Sequence, residues 1–261
     1  INRKESSLSM GEDSFFMIRV EIVQFDCRGE TMIPRQFEPE VMDTREEAID
    51  YDAMDHSEVN RQFAASVLPV ITIRQQQQAS TGDSQPLQIL DLGTGTALIP
   101  IEICQRVSQL TIIATDLAAE MLKVAQQNIQ RAGLDKSILL EHADAKLLPC
   151  KDQSFDGVIS NSLIHHIPEP QSVFSEIRRV IKPGGFLFVR DLLRPDSLAE
   201  LDRLVSLYAT DANPHQRQMF RDSLHAALTL DEVKALLHHC HWPAAAVQQT
   251  SDRHWTISLN L

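Results

Sequence analysis

The stretch "LQILDLGTGTALIPIEI", residues 87–103, decides the fold. An apolar run ends on Asp91, Gly93 and Gly95 follow, and a second apolar run with helical spacing opens near Ala97. Strand, glycine turn and helix in that order make the opening unit of a parallel α/β sheet, and the glycines let backbone approach a ligand closely. A dinucleotide fingerprint would read G-x-G-x-x-G, with a pyrophosphate resting on the helix N-terminus. Leu98 stands where its last glycine would be, which weakens a nicotinamide or flavin reading. An acidic residue at the strand end suits a cationic ligand instead, and Ala97 is expected to fit because no pyrophosphate must nestle against it.

Outward from this unit the pattern alternates. Strands are predicted at 88–92, 111–115, 138–141, 156–160 and 186–190, and helices at 97–107, 118–132 (closed by Gly133) and 171–181, with "KPGG" (182–185) as a turn. Thr229 and Glu232 read as a capping box for a helix through His239, after which "AAAVQQT" and "HWTISLNL", joined by "SDR", suggest a hairpin. The economical fold is α/β: a Rossmann-like, doubly wound, seven-stranded, mostly parallel sheet with a C-terminal antiparallel hairpin. Upstream, residues 1–44 read as an extension whose "IRVEIVQFD" (18–26) could form a strand. Residues 45–261 form the main domain, opening with one or two amphipathic helices over 45–68 and a loop at "QQQQASTGDSQP" (75–86).

Composition narrows the function classes. The chain has 261 residues, 43% of them hydrophobic, enough for an ordinary globular core. A formal net charge of -12 leaves too few Lys and Arg to neutralise many phosphates, so no nucleic-acid partner is expected. No apolar run approaches the roughly 20 residues that span a bilayer, and the first residues lack a secretory apolar core, so no membrane span and a cytoplasmic location are expected. Cys27, Cys104, Cys150 and Cys240 are scattered without a C-x-x-C pair and read as reduced structural thiols. "HHCHW" (238–242) invites a metal reading, but adjacent ligands at a helix end seldom converge on one ion; no metal is expected.

Asp91-Leu92-Gly93-Thr94-Gly95-Thr96-Ala97 resembles the first motif of the class I S-adenosylmethionine-dependent methyltransferases, with Ala97 in place of the usual third glycine. Three further segments resemble that family's later motifs in order: Asp116 in "TIIATDLAAEML", Asp144 in "EHADAKLLP", and Asn161 and Ser162 in "FDGVISNSLIHHIPEP". The match runs over about residues 45–190 plus the terminal hairpin, and the ordered set is far more specific than any one member. The resemblance implies S-adenosylmethionine as cofactor, contacted by Asp91, Gly93, Thr94 and Gly95. It also implies Asp116 on the ribose hydroxyls, Leu117 and Met121 beside the adenine, Asp144 and Ala145 at the adenine amino group, and Asn161 and Ser162 near the reactive methyl. Tyr51 is implied as a cover over the cofactor; its alternative is a packed core tyrosine.

The implied reaction moves the methyl group to a small-molecule acceptor by in-line displacement and releases S-adenosylhomocysteine. "HH", "YDAMDH" and "RDLLRPDS" are loosely similar to the branch acting on small molecules such as quinone precursors. His165 and His166, beside the transfer position, are the candidates for acceptor contact or proton removal, because imidazole titrates near neutral pH. His56, Asp191, Arg194 and His215 are candidate acceptor-pocket residues, with 191–228 as a helical insert on the acceptor side; each reads equally well as a solvated cap. An oxygen or carbon acceptor would need a base, whereas a thiol or amine would need positioning alone. Arsenite is set aside, since the cysteines do not pair. A cofactor-binding protein without methyl transfer and an NAD(P)-dependent oxidoreductase stand as the rival classes.

Overall fold

The computed structural model describes residues 33–41, 43–210 and 212–261; the strand expected at 18–26 lies outside them. In chain order the elements are α1 (Arg45–Asp52), α2 (Ser57–Ser80), β1 (Leu87–Leu92), α3 (Leu98–Cys104), β2 (Leu110–Asp116), α4 (Ala119–Ala132), β3 (Ile138–His142), β4 (Phe155–Asn161), α5 (Gln171–Val180), β5 (Ile181–Leu192), α6 (Leu198–Tyr208), α7 (Pro214–Ala226), α8 (Leu230–His239), β6 (Val247–Gln249) and β7 (His254–Asn260). A 3-10 turn at Ile164–His166 follows β4, and another at Ala244–Ala246 precedes β6.

The seven strands form one sheet in the order β3-β2-β1-β4-β5-β7-β6. The first five run parallel, and β7 returns antiparallel between β5 and β6. Side chains alternate across each strand, so one strand feeds two cores. Along β1, Leu87 and Ile89 join Phe63, Ile112 and Phe188 on one face, while Leu90 and Leu92 join Phe174, Leu237 and Trp255 on the other. That division is what doubly wound means physically. The strand order reverses between β1 and β4, and ligands of such sheets bind outside the carboxyl ends of the strands at that point.

Two expectations are corrected. The helix α2 continues to Ser80, so Gln75–Gln78 are helical; Gln75 and Gln78 tie it to the carbonyls of Ser108 and Gln85. "KPGG" lies inside β5 as a wide bulge: Phe155 pairs with Ile181 and Gly157 with Phe186, so four residues of β5 face Asp156 alone. The positive φ of Gly184, 75°, is what allows that detour. The lone Asp156 is buried and accepts from Arg74, Lys182 and the amide of Gln88, fastening α2, β1 and β5 together. At the other end, 191–228 holds α6 and α7, packed on a small core of Ile33, Leu192, Leu201, Leu204, Leu224 and Ala227. No helix among the described residues is long and apolar enough to cross a membrane.

Candidate functional site

Asp91, Asp116, Asp144 and Asn161 all stand at or just past the carboxyl ends of parallel strands, so the topology brings them to one edge of the sheet. The loop after β1 is wound tightly. Gly93, Gly95 and Ala97 have φ of 69°, 54° and 62°, all left-handed. At Gly93 a Cβ would meet Leu163 Cδ1 at 2.9 Å, so the glycine is required twice, by its backbone and by its neighbour. Ala97 pays the conformational penalty instead, and its buried methyl packs into the core beside Ile103 and Ala125. Ala97 thus has a packing role in addition to the expected tolerance of a methyl where no pyrophosphate must nestle.

Asp91 is 4% exposed, and burial pushes its carboxyl up to about 7, with Thr94 opposing and the nearby Asp116 adding to the rise. Asp116 Oδ2 accepts from Gly95 N and Oδ1 from Ala118 N, each at 2.8 Å. Its carboxyl is also raised, mainly by burial. The amide of Leu117 adds a third backbone bond, and a carboxylate has about four acceptor positions, so acceptor capacity is left over for a ligand's hydroxyl. Tyr51, on α1, lies over the loop, its Cε1 3.6 Å from where a Gly95 Cβ would be, and packs beside Met121. His56 stacks on that ring with centroids 4.6 Å apart and bonds Tyr51 O, so the structure puts it on this side of the site. Leu117 is half-buried after β2, and His142 bonds its carbonyl. Asn128, which sequence reasoning missed, bridges Thr96 O and the Asp52 carboxylate, tying loop to α1.

Asp144 opens a tight turn in which its Oδ1 accepts from Lys146 N at 2.8 Å and pairs with Lys146 Nζ at 3.2 Å, while Ala145 packs against the core. Asn161 donates to Ser162 Oγ, and Ser162, with φ 57°, turns the chain into the 3-10 turn that carries the histidines.

That turn is a buried polar cluster. His165 Nδ1 lies 2.5 Å from Asp191 Oδ1, and Asp191 also accepts from the amides of Ile164, His165 and Leu192. Burial pulls the His165 imidazole down, but the charge and hydrogen bond of Asp191 overturn this and hold it above its ordinary value. Burial and the neighbouring His165 lower His166 to about 3, so it is neutral. Glu38 completes the group, with Oε1 3.4 Å from His165 Nε2 and 3.1 Å from His166 Nδ1. Nothing in "FEPE" distinguishes it in the sequence.

The structure does not bring every candidate here. Arg194 is buried between Glu232 and the carbonyl of Ala227, where it joins the chain after β5 to α8. His215 is exposed in the first turn of α7, eight residues, or about 12 Å of helix, before Ser223, which touches Glu38.

Residues 33–41 and Asp43 cross this edge as a strap. Arg35 donates to the carbonyls of His165, Ile167, Pro168 and Ala226. Beyond Glu38, Glu40 pairs with Lys146, and Asp43 accepts from Glu120 N at the start of α4. The strap therefore passes the loops that follow β4, β3 and β2 in turn.

The site fits an S-adenosyl nucleoside on its own chemistry. Among the described residues Asp91 is a buried carboxyl without a cation beside it and the Thr96 hydroxyl is buried with no partner, and the glycine loop offers open backbone under Tyr51. Comparison with known proteins agrees. Residues 90–189 match the model of a methyltransferase domain. A malonyl-[acyl-carrier protein] O-methyltransferase of Xylella fastidiosa is 35% identical over 134 residues, 51% of this chain and 43% of that protein. A demethylmenaquinone methyltransferase of Bacteroides fragilis is 30% identical over 112 residues, 43% of this chain and 46% of that protein. The alignments thus span less than half of either relative. A SAM-dependent methyltransferase from Aquifex aeolicus shares the fold, with TM-score 0.57, 16% identity, and coverage of 83% of this chain and 98% of that one.

Proposed function

From the premise that residues 90–189 are a methyltransferase domain of the class I S-adenosylmethionine-dependent kind, we propose that the chain transfers that cofactor's methyl group to a small-molecule acceptor. The observation that carries the reading is the pairing of the buried, cation-seeking Asp91 with the left-handed glycine loop at the strand switch point. S-adenosylmethionine supplies an activated methyl on a sulfonium; this chain's residues need only bind, orient and exclude water. Asp91 and the loop at Gly93, Thr94 and Gly95 would face the charged end. The acceptor capacity left on Asp116 would serve the ribose hydroxyls. Leu117, Met121, Asp144 and Ala145 would frame the adenine, with Tyr51 as cover and Asn161 and Ser162 below the methyl.

The acceptor would enter from the side of His165 and His166, whose cluster with Glu38 and Asp191 supplies polar contacts and receives any proton the acceptor must lose. The relatives' names include a carrier-bound malonyl group and a menaquinone precursor. A carbonyl- or phenol-type oxygen or carbon acceptor is therefore the class to try first.

The test has two stages. Titration with S-adenosylhomocysteine should raise the melting temperature, and NADH should not; the reverse would overturn the cofactor assignment. Asp116→Ala should then weaken that binding by roughly 1.5–3 kcal/mol, the value of a hydrogen bond to a charged group, and calorimetry showing wild-type affinity would remove the ribose role. Labelled methyl groups, followed into acceptors of the class above, decide between transfer and binding alone.

A further inference from the structure

The geometry points to a divalent transition-metal site built by Glu38, His165 and His166. One donor atom from each lies within 4.8 Å of the others. Glu38 Oε1 and His166 Nδ1 are both buried with no hydrogen-bond partner among the described residues, although they face each other at 3.1 Å. His165 presents Nε2 to the same oxygen at 3.4 Å. When Nδ1 of His165 donates to Asp191, Nε2 carries a bare lone pair, so three acceptor atoms converge on one another. A cation between them, a metal ion or a shared proton, would satisfy all three at once.

The spacing suits a metal ion. Bonds of about 2.0–2.1 Å at tetrahedral angles place ligand atoms about 3.3 Å apart, and the two edges that meet at Glu38 Oε1, 3.4 and 3.1 Å, bracket that value. Imidazole with carboxylate is a donor set for zinc, iron or another first-row cation, and three protein ligands leave a coordination position open. The surrounding contacts are those that orient metal ligands. Asp191 fixes the ring and tautomer of His165, and Ser223 holds Glu38 Oε2 at 3.1 Å, turning Oε1 inward. Adjacent histidines rarely converge, but here His165 offers its far nitrogen and His166 its near one, with ring centroids 4.2 Å apart. That departs from the sequence expectation of no metal, which rested on the exposed histidines at 238–242.

The claim concerns binding and stands whether or not the chain transfers methyl groups. The chelated full chain should be titrated with Zn2+ by calorimetry and with Co2+ by visible absorption. One equivalent should bind, with a Co2+ spectrum of nitrogen and oxygen ligation and a higher melting temperature. Glu38→Gln and His166→Gln should each abolish the spectrum while keeping the thermal shift given by S-adenosylhomocysteine, which reports an intact fold. Asp191→Asn should weaken Zn2+ roughly 10- to 100-fold without removing a ligand. No saturable binding to the wild type, or Co2+ ligation that survives in Glu38→Gln, would overturn the site and leave a proton shared by Glu38 and the two rings as its occupant.

Discussion

Burial holds the Asp91 carboxyl up to about 7 against an ordinary 3.8, so the folded chain keeps a proton that the unfolded chain has already released across that window. By linkage, folding stability is lost as the pH rises from 3.8 to 7, and above it the empty site carries a buried, ionised carboxylate. Asp91→Asn removes that charge with little change of shape. At pH 8 it should raise the melting temperature of the cofactor-free protein and weaken S-adenosylmethionine binding by tenfold or more. Wild-type affinity should strengthen as pH rises through about 7, where the carboxylate becomes available. Scanning calorimetry and binding titrations from about pH 6 to about pH 8 check both signs; equal affinity across that range would sink the idea of a cation facing Asp91. Asp91 was legible because its signal is local, an acid two residues before a glycine. Glu38 was not, because the strap reaches its partners over long separations: Arg35 alone meets His165 O across 130 positions, and no periodicity records such a meeting.

Among the elements, the loop between β1 and α3 sets two similar substitutions apart. Gly93→Ala asks an L-residue to hold φ 69°, at about 1–2 kcal/mol, and drives its methyl to 2.9 Å from Leu163. Overpacking adds about 1–3 kcal/mol, so a loss of roughly 2–5 kcal/mol is expected, with the turn bearing His165 displaced. Ala97→Gly relieves the same kind of strain at φ 62° and gives up one buried methyl, worth about 0.8 kcal/mol, so it should lie within about 1 kcal/mol of wild type. Urea midpoints of the two variants measure the contrast, and equal midpoints would refute it. The strand and helix order was readable because alternation in a doubly wound sheet writes itself into runs such as Leu87–Leu92. The run Gln75–Ser80 was misread as a loop because glutamine has no apolar stripe; tertiary anchors to Ser108 O and Gln85 O prolong the helix there. The bulge at Lys182–Gly185 was visible as a turn, but its pairing with Asp156 depends on Arg74 and Lys182, which pattern does not reveal.

At the scale of the whole molecule, Arg35 ties together stretches of chain far apart in sequence. The guanidinium gathers the carbonyls of His165, Ile167 and Pro168 on one side and Ala226 on the other, while Gln36 N donates to His225 O. The strap before α1 thus locks the insert of α6 and α7 to the turn after β4, and the same strap delivers Glu38. Few of its contacts are apolar; Ile33 is its one residue in the small core beside α6 and α7. Such a segment opens at a lower free energy than the sheet beneath it. Arg35→Ala leaves several carbonyls unpaired and should let residues 33–43 open locally, with roughly 2–4 kcal/mol lost there from charged hydrogen bonds worth about 1.5–3 kcal/mol each. Arg35→Lys should not restore it, because one ammonium cannot reproduce a planar fork that reaches four oxygens. Native-state hydrogen exchange should then quicken at Gln36 and around His166, while amides of β1 and β4 keep their protection. Acceleration shared equally by the central strands would mean that the strap unfolds only with the whole domain, and the picture of a separately opening cover over the site would have to be abandoned.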